Sequence, residues 1–310
     1  MGLDLVNASP CLRVLDVSIP VWATDVRDAA QMRGVISHLV PEVVFHLAGS
    51  SHIAASQAQP LEALEVNVQG TWNVLEACRN LPSMRSVVVA SSNHIWGSLP
   101  KAYSPTCALG HRAWPGIRQD SIRQLWLEDD PPGQTDVYGT SKACVDLLTK
   151  AYGAMGIPVA ALRHVNAHGP GDQYASHLIT GAICDLLDNR APIIRSDGSP
   201  LKAYLHVEDV CAAYLLVAES LAGGVILPGA AVNAGGPPIS VLALVNALIQ
   251  IAGLDLIPDV RGEDLSQSGY VEILDDSRLR SLGWAPRPLL EGLVETYNWY
   301  KMRRGMAWTG

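Results

Sequence analysis

The sequence predicts an α/β protein, with a doubly wound parallel sheet followed by a smaller mixed α/β lobe. Three observations predict it. The runs Val43-Val44-Phe45-His46-Leu47-Ala48, Ser86-Val87-Val88-Val89-Ala90-Ser91 and Val159-Ala160-Ala161-Leu162-Arg163 are apolar at successive positions, as strands buried on both faces require. Amphipathic helical segments near 64–80 and 138–155 alternate with them, which is the pattern of a parallel sheet with crossover helices. From about residue 167 the texture changes, and Gly169-Pro170-Gly171-Asp172 punctuates the chain. The expected division is therefore 1–166 for the sheet domain and 167–310 for the lobe.

Within the lobe, a helix near 176–189 precedes a short strand at Pro192-Ile193-Ile194 and an Asp197-Gly198 turn. Tyr204-Leu205-His206-Val207 reads as a strand and 208–221 as a helix, followed by a Gly/Pro-rich loop at 235–238 and two further helices. Residues 98–132 are rich in Pro, Trp and Arg and lack periodicity, so they read as an insertion of the kind used for lids and binding loops.

Composition narrows the function. The 310 residues are 48% hydrophobic and 17% charged, which suits a globular core. A net charge of −8 and the lack of a basic stretch exclude a nucleic-acid binder. No apolar run is long enough to span a membrane and no signal peptide opens the sequence, so the expectation is a cytoplasmic protein. Six scattered cysteines without a CxxC pair read as reduced thiols, and no histidine spacing suggests a metal site. The acidic run Glu128-Asp129-Asp130 reads as a solvated loop face.

The chemistry lies in Tyr138-Gly139-Thr140-Ser141-Lys142 and in Ser91-Ser92 at the end of a buried strand. A Tyr and a Lys four residues apart share one face of a helix. An ammonium beside a phenol favours the phenolate and is expected to lower the Tyr138 pKa. A nearby Ser hydroxyl can share a substrate oxygen with that phenol. The arrangement suits proton exchange with a sugar hydroxyl coupled to hydride transfer with a nicotinamide. Parallel sheets bind ligands at the carboxyl ends of their strands, where Leu47-Ala48-Gly49 and Ala90-Ser91-Ser92 are expected.

With these motifs the chain resembles the extended short-chain dehydrogenase/reductases of the nucleotide-sugar epimerase/dehydratase family. The resemblance also includes Asp25-Val26-Arg27-Asp28, Asn67-Val68-Gln69-Gly70-Thr71, Asn166-Ala167-His168-Gly169-Pro170-Gly171, Tyr204-Leu205-His206-Val207-Glu208-Asp209 and Leu282-Gly283-Trp284-Ala285-Pro286. The stretch Ile194-Arg195-Ser196-Asp197-Gly198 is similar to the CDP-glucose 4,6-dehydratase branch. The resemblance implies a Rossmann-like sheet, NAD as cofactor, a nucleotide-sugar substrate, and a homodimer formed through the helices near 64–80 and 138–155.

Carried over residue by residue, Tyr138 would be the acid/base, Lys142 would lower its pKa and hold the nicotinamide ribose, and Ser92 would bond the reacting sugar oxygen with Ser91 as neighbour. Asp4 would bind the adenosine ribose, and Asp25 and Val26 would flank the adenine. Leu47, Ala48 and Gly49 would let the backbone approach the pyrophosphate, and Asn67 would steady the loops behind the cofactor. Asn93, Asn166, Lys202 and Arg261 would face the substrate. Lys202 stands where the family usually has an Arg, and Lys is a point charge, not a bidentate fork.

Two departures stand out. The early glycines are only Gly2, Gly34 and Gly49, so the family's first strand and glycine-rich turn are not in this sequence, and Met1-Gly2-Leu3-Asp4 reads like the end of its second strand. A misplaced start codon or truncated gene is the expectation, and loss of that central strand would expose backbone and core. After Ser92, the Asp-Glu or Asp-Lys pair of the dehydratases is replaced by Asn93-His94. An amide is not a proton donor of that kind, whereas His94 can act as acid or base near neutrality. This favours epimerisation or plain oxidation/reduction over 4,6-dehydration, and Ser-Ser-Asn-His also looks like the corresponding segment of uronate dehydrogenases. The alternatives to a nucleotide-sugar epimerase/dehydratase are thus a one-step sugar dehydrogenase or a catalytically inactive relative that serves as a binding or scaffold protein.

Overall fold

The computed structural model describes residues 2–4 (as backbone), 20–97, 125–133, 136–263 and 270–303. Cys11, Cys107, the Asp4 side chain and residues 98–124 of the expected insertion lie outside the described residues. Strands β1 (Gly2–Asp4) and β2 (Val21–Ala23) pair in parallel as a small two-stranded sheet. Helix α1 (Ala29–Leu39) begins at Asp28, whose carboxylate accepts the N–H groups of Ala30 and Gln31 that the first helical turn leaves unsatisfied.

The main sheet follows. Strand β3 (Val43–His46) is followed by the short helices α2 (Ile53–Ala58) and α3 (Pro60–Leu64), a π-helical turn over Glu65–Gln69, helix α4 (Gly70–Cys78) and strand β4 (Ser86–Ala90). Helix α5 (Val137–Ala154) leads into β5 (Val159–His164) and, close behind, β6 (Asn166–His168). Then come α6 (Leu178–Leu187), β7 (Ile193–Ile194), β8 (Leu201–His206), α7 (Val207–Ala222) and β9 (Ala231–Ala234). The chain continues through β10 (Pro238–Ser240), α8 (Val241–Ala252), β11 (Asp259–Val260), α9 (Ser277–Ser281) and α10 (Leu289–Met302).

The main sheet has the order β3-β4-β5-β9, all parallel. Side chains alternate between the faces of a strand, and here both faces are covered. Val87, Val89, Val159 and Ala161 pack against Met32, Ile36, Val74, Leu75 and Val145 from α1, α4 and α5. Val88, Ala160 and Leu162 pack on the opposite face against Val210, Ala213, Tyr214 and Val217 from α7. This two-sided burial is why the strand sequences are continuously apolar. Among the described residues β3 pairs only with β4, and Val43 and Phe45 at that edge are exposed.

Beyond the main sheet, β8 pairs in parallel with β6 and antiparallel with β10, and β7 pairs with β11. A second core joins α6, α8 and α10 through Ile183, Leu186, Leu244, Leu248, Leu293 and Tyr300. Strand β9 is absent from the sequence-based expectation, because Ala-Val-Asn-Ala is short and partly polar. Its pairing with β5 places it nonetheless.

The acidic run at 128–130 is not a solvated face. Glu128 accepts the Asn233 N–H and pairs with Arg278 at 3.0 Å, and its carbonyl accepts from Arg163. Asp130 is buried and accepts the Leu127 N–H. Arg163 in turn meets Asp146 of α5 at 2.7 Å, both side chains buried, and lies over Trp96. These contacts tie the segment beside Trp126 to the sheet.

Candidate active site

Helix α5 starts at Asp136, whose Oδ1 accepts the Gly139 N–H at 2.8 Å. This cap fixes the first turn, which carries Tyr138, and the next, which carries Lys142. Both side chains reach the carboxyl end of β4. Lys142 Nζ donates to the Ala90 carbonyl at 2.9 Å, and Ser92 acts on the Tyr138 phenol, favouring its ionised form. The structure therefore brings Tyr138, Lys142 and Ser92 together, with Ser91 buried beside them.

The charge balance differs from the sequence expectation. Burial raises the Tyr138 pKa, the nearby Ser92 hydroxyl opposes this, and Glu272 and Asp136 raise it further. Lys142 is itself pushed down to about 8 by burial, partly countered by Asp146. Burial and these carboxylates favour the neutral phenol, while Lys142 is engaged by a carbonyl.

Beyond Ser92 the chain makes a 3₁₀ turn over Asn93–Ile95, capped by Ser92 Oγ accepting the His94 N–H at 3.1 Å. The Asn93 carboxamide Oδ1 lies 3.4 Å from Ser92 Oγ, and its Nδ2 is buried without a hydrogen-bond partner. His94 packs 5.7 Å from the Tyr138 ring, centroid to centroid. Its Nε2 meets Asp136 Oδ2 at 2.8 Å, and its Nδ1 faces Tyr270 Oη at 3.5 Å and Glu272 at 3.8 Å. Burial would lower the His94 pKa, but Glu272 and Asp136 overcome it and the pKa is raised.

Asp136, Tyr270 and Glu272 are absent from the sequence-based site. Asp136 carries a helix N-cap signature, which points to a structural role only. Glu272 has no local signal. It arrives because Glu272 N–H bonds the Leu201 carbonyl and Leu201 N–H bonds the Tyr270 carbonyl, which sets segment 270–274 against β8.

Leu47, Ala48 and Gly49 form the exposed carboxyl end of β3. A Cβ on Gly49 would meet Asn67 Oδ1 at 2.9 Å and Lys142 Nζ at 3.2 Å, so only glycine leaves the backbone this close to the lysine. Asn67, buried in the π-helical turn, accepts the Ser50 N–H at 2.7 Å and donates to the Ser50 carbonyl and to Ser141 Oγ. It thus links the loop after β3 to α5. A π-turn re-aims side chains relative to a regular helix, and this one aims Asn67 inward.

The remaining expected residues are less concerted. Asp25 is held by the Arg27 guanidinium, which keeps its carboxyl below the usual range, and it also accepts the Arg27 N–H as a turn residue. Val26 packs on Gly70, where an added Cβ would lie 2.7 Å away. Asn166 is exposed on β6 and donates weakly to the Ala203 carbonyl. Lys202 Nζ lies 5.4 Å from the Tyr270 ring. Arg261 pairs with Asp259 at 3.0 Å and faces Glu263 at 3.8 Å, so carboxylates close in sequence engage its guanidinium.

Other histidines make local structural contacts. His46 bonds Thr71 and is pushed down to about 4 by burial, His52 caps α2, and His164 bonds the Val165 carbonyl. His206, Glu208 and Glu295 place ligand atoms within 4.8 Å of one another, but Arg287 bridges both glutamates at 2.6 Å and supplies the cation there.

A profile of the NAD dependent epimerase/dehydratase family matches residues 4–235. The chain belongs to this family. It is 29% identical over 298 residues to a CDP-glucose 4,6-dehydratase of Salmonella typhimurium, covering 89% of this chain and 75% of that protein. It is 30% identical over 270 residues to a dTDP-glucose 4,6-dehydratase of Streptomyces griseus, covering 84% and 72%. The fold matches a dTDP-glucose 4,6-dehydratase of Streptomyces venezuelae crystallised with NAD, with a TM-score of 0.76, 27% identity and coverage of 98% and 87%. It also matches the fold of a UDP-glucose 4-epimerase of Thermotoga maritima, with a TM-score of 0.79, 22% identity and coverage of 97% and 90%. The parallel α/β fold expected from the sequence is thus the fold of solved family members.

The residues present fit the nicotinamide half of NAD. The tight approach of Gly49 to Lys142, the exposed backbone at 47–49 and the orphaned Asn93 Nδ2 surround one end of the sheet. Among the described residues there is no glycine-rich turn opening a helix toward that end. No described helix is long and apolar enough to cross a membrane.

Proposed function

We propose that this protein oxidises a sugar hydroxyl of a nucleotide sugar to a keto intermediate through Tyr138, and then epimerises or dehydrates it. One observation carries the reading: Tyr138, Ser92 and Lys142 come together at the carboxyl end of β4, beside a glycine where an added Cβ would crowd Asn67 and Lys142. Bound NAD supplies the hydride acceptor and donor.

In this reading the Ser92 and Tyr138 hydroxyls share one substrate oxygen, and Tyr138 takes its proton. Reorientation of Lys142 from the Ala90 carbonyl toward the ribose brings its ammonium nearer the phenol and favours the phenolate. Leu47, Ala48 and Gly49 present backbone to the cofactor, Asn67 holds that loop to α5, and Asp25 with Val26 border the adenine side. His94 is a second acid/base beside Tyr138. Asn166 and Lys202 contact the substrate diphosphate, with Arg261 released from Asp259 to join them. The exposed Leu61, Trp72 and Leu147 on α3, α4 and α5 form the face of a homodimer.

Replacing Tyr138 with Phe is expected to lower turnover across a panel of CDP-, dTDP- and UDP-sugars by about 10²–10⁴-fold while leaving the thermal midpoint nearly unchanged. Retained turnover would overturn the assignment. A 4-keto-6-deoxy product identifies a dehydratase, and a C4 epimer identifies an epimerase.

The local pairing of Arg261 favours a second reading, a one-step dehydrogenase of a free uronate, because such a substrate needs no diphosphate clamp. Steady NADH release from a uronate would establish it.

A further inference from the structure

We propose that Asp136 and Glu272 are positioning residues that clamp His94 from both ring nitrogens and hold it as a charged proton donor beside Tyr138. The inference rests on the function proposed above, but its geometry is separate from the Tyr138–Lys142 pair.

Asp136 uses both carboxylate oxygens. Oδ1 caps α5 at Gly139, and Oδ2 takes His94 Nε2 at 2.8 Å. One residue therefore sets the helix that carries Tyr138 and also orients the imidazole. A carboxylate orienting a histidine whose other nitrogen does the work is the general logic of catalytic triads. The working nitrogen is Nδ1, whose contacts to Tyr270 Oη and Glu272 are the longer ones at 3.5 and 3.8 Å. A substrate hydroxyl can insert there, since catalytic hydrogen bonds are commonly long before substrate binds.

Glu272 is buried, and the backbone bonds of segment 270–274 to Leu201 and Trp126 keep it in place. Among the described residues, Asp136 and Tyr138 from α5 and Tyr270 and Glu272 from segment 270–274 face the His94 ring. Lys202 lies over the Tyr270 ring, its Nζ 5.4 Å from the centroid. Two carboxylates face this histidine, which favours its charged form against the effect of burial. The consequence is chemical. Asn93 cannot donate as an acid, but a clamped imidazolium can give its Nδ1 proton to an oxygen on the sugar beside the position that Tyr138 addresses.

The test follows the His94 ring by NMR in the full chain carrying isotope-labelled histidine, with His94→Gln identifying its signal. The readout needs no substrate, so it stands or falls separately from the proposed activity. In the native protein His94 is expected to titrate above the ordinary histidine value. Both Asp136→Asn and Glu272→Gln are expected to lower its midpoint by about one pH unit or more. An unchanged midpoint in either variant overturns the proposal. Asn retains the capping ability of Asp, so Asp136→Asn preserves the start of α5. If Glu272→Gln does not fold, the Asp136→Asn titration alone decides.

Discussion

Lys142 should weaken the fold that it serves. It is almost fully buried on α5, and burial brings its pKa from 10.5 to about 8. That fall corresponds to about 3 kcal/mol of disfavoured charge below pH 8. The hydrogen bond from Nζ to the Ala90 carbonyl offsets about 1 kcal/mol when it is lost. Replacing Lys142 with Met, a chain of similar volume, is therefore expected to stabilise the protein by about 2 kcal/mol at pH 7. The sign of the pH dependence is specific. Between about 8 and 10.5 the unfolded chain binds the proton and the folded chain does not, so native stability rises with pH across that window. Below pH 8 the penalty is present in full. Urea unfolding at pH 7 and at pH 10 reads both effects. The native protein should gain on Lys142 between the two, and Lys142→Met should lack that gain while losing turnover. A Met variant that is less stable at pH 7, or that keeps the same rise, would refute the reasoning.

Two further outcomes follow from the same geometry. Gly49→Ala places a Cβ 2.9 Å from Asn67 Oδ1 and 3.2 Å from Lys142 Nζ, so it should weaken NAD binding by about tenfold or more, measured by calorimetry, with the overall fold retained. Arg163→Met leaves Asp146 buried without its partner and should cost about 3–5 kcal/mol in urea unfolding. Adding Asp146→Leu to Arg163→Met should recover most of that loss, whereas additive losses would show that the pair is not coupled.

The parallel sheet and the Tyr138–Lys142 pair were legible because both are short-range patterns. Strand burial on two faces writes continuous apolar runs, and a four-residue spacing sets two side chains on one helix face. Ser92 was legible because it follows such a run directly. What escaped depends on contacts distant in sequence. Glu272 reaches His94 only through the pairing of Val271 with Leu201, and β9 exists through its ladder with β5. Glu128 looks like a solvated charge until Arg278 and the Asn233 N–H are placed around it. The lowered Tyr138 pKa was expected from proximity alone, but burial and the carboxylates of Asp136 and Glu272 outweigh it. Arg261 illustrates the converse: a motif position whose guanidinium is held by the adjacent Asp259.

The most direct test of the account is calorimetry of the full chain with NAD, in the native form and as Lys142→Met. The account predicts micromolar binding by the native protein and a loss of about tenfold or more in the variant. A folded native protein that binds no NAD, or a variant that binds it equally well, would contradict a cofactor site built on Tyr138, Lys142 and Gly49.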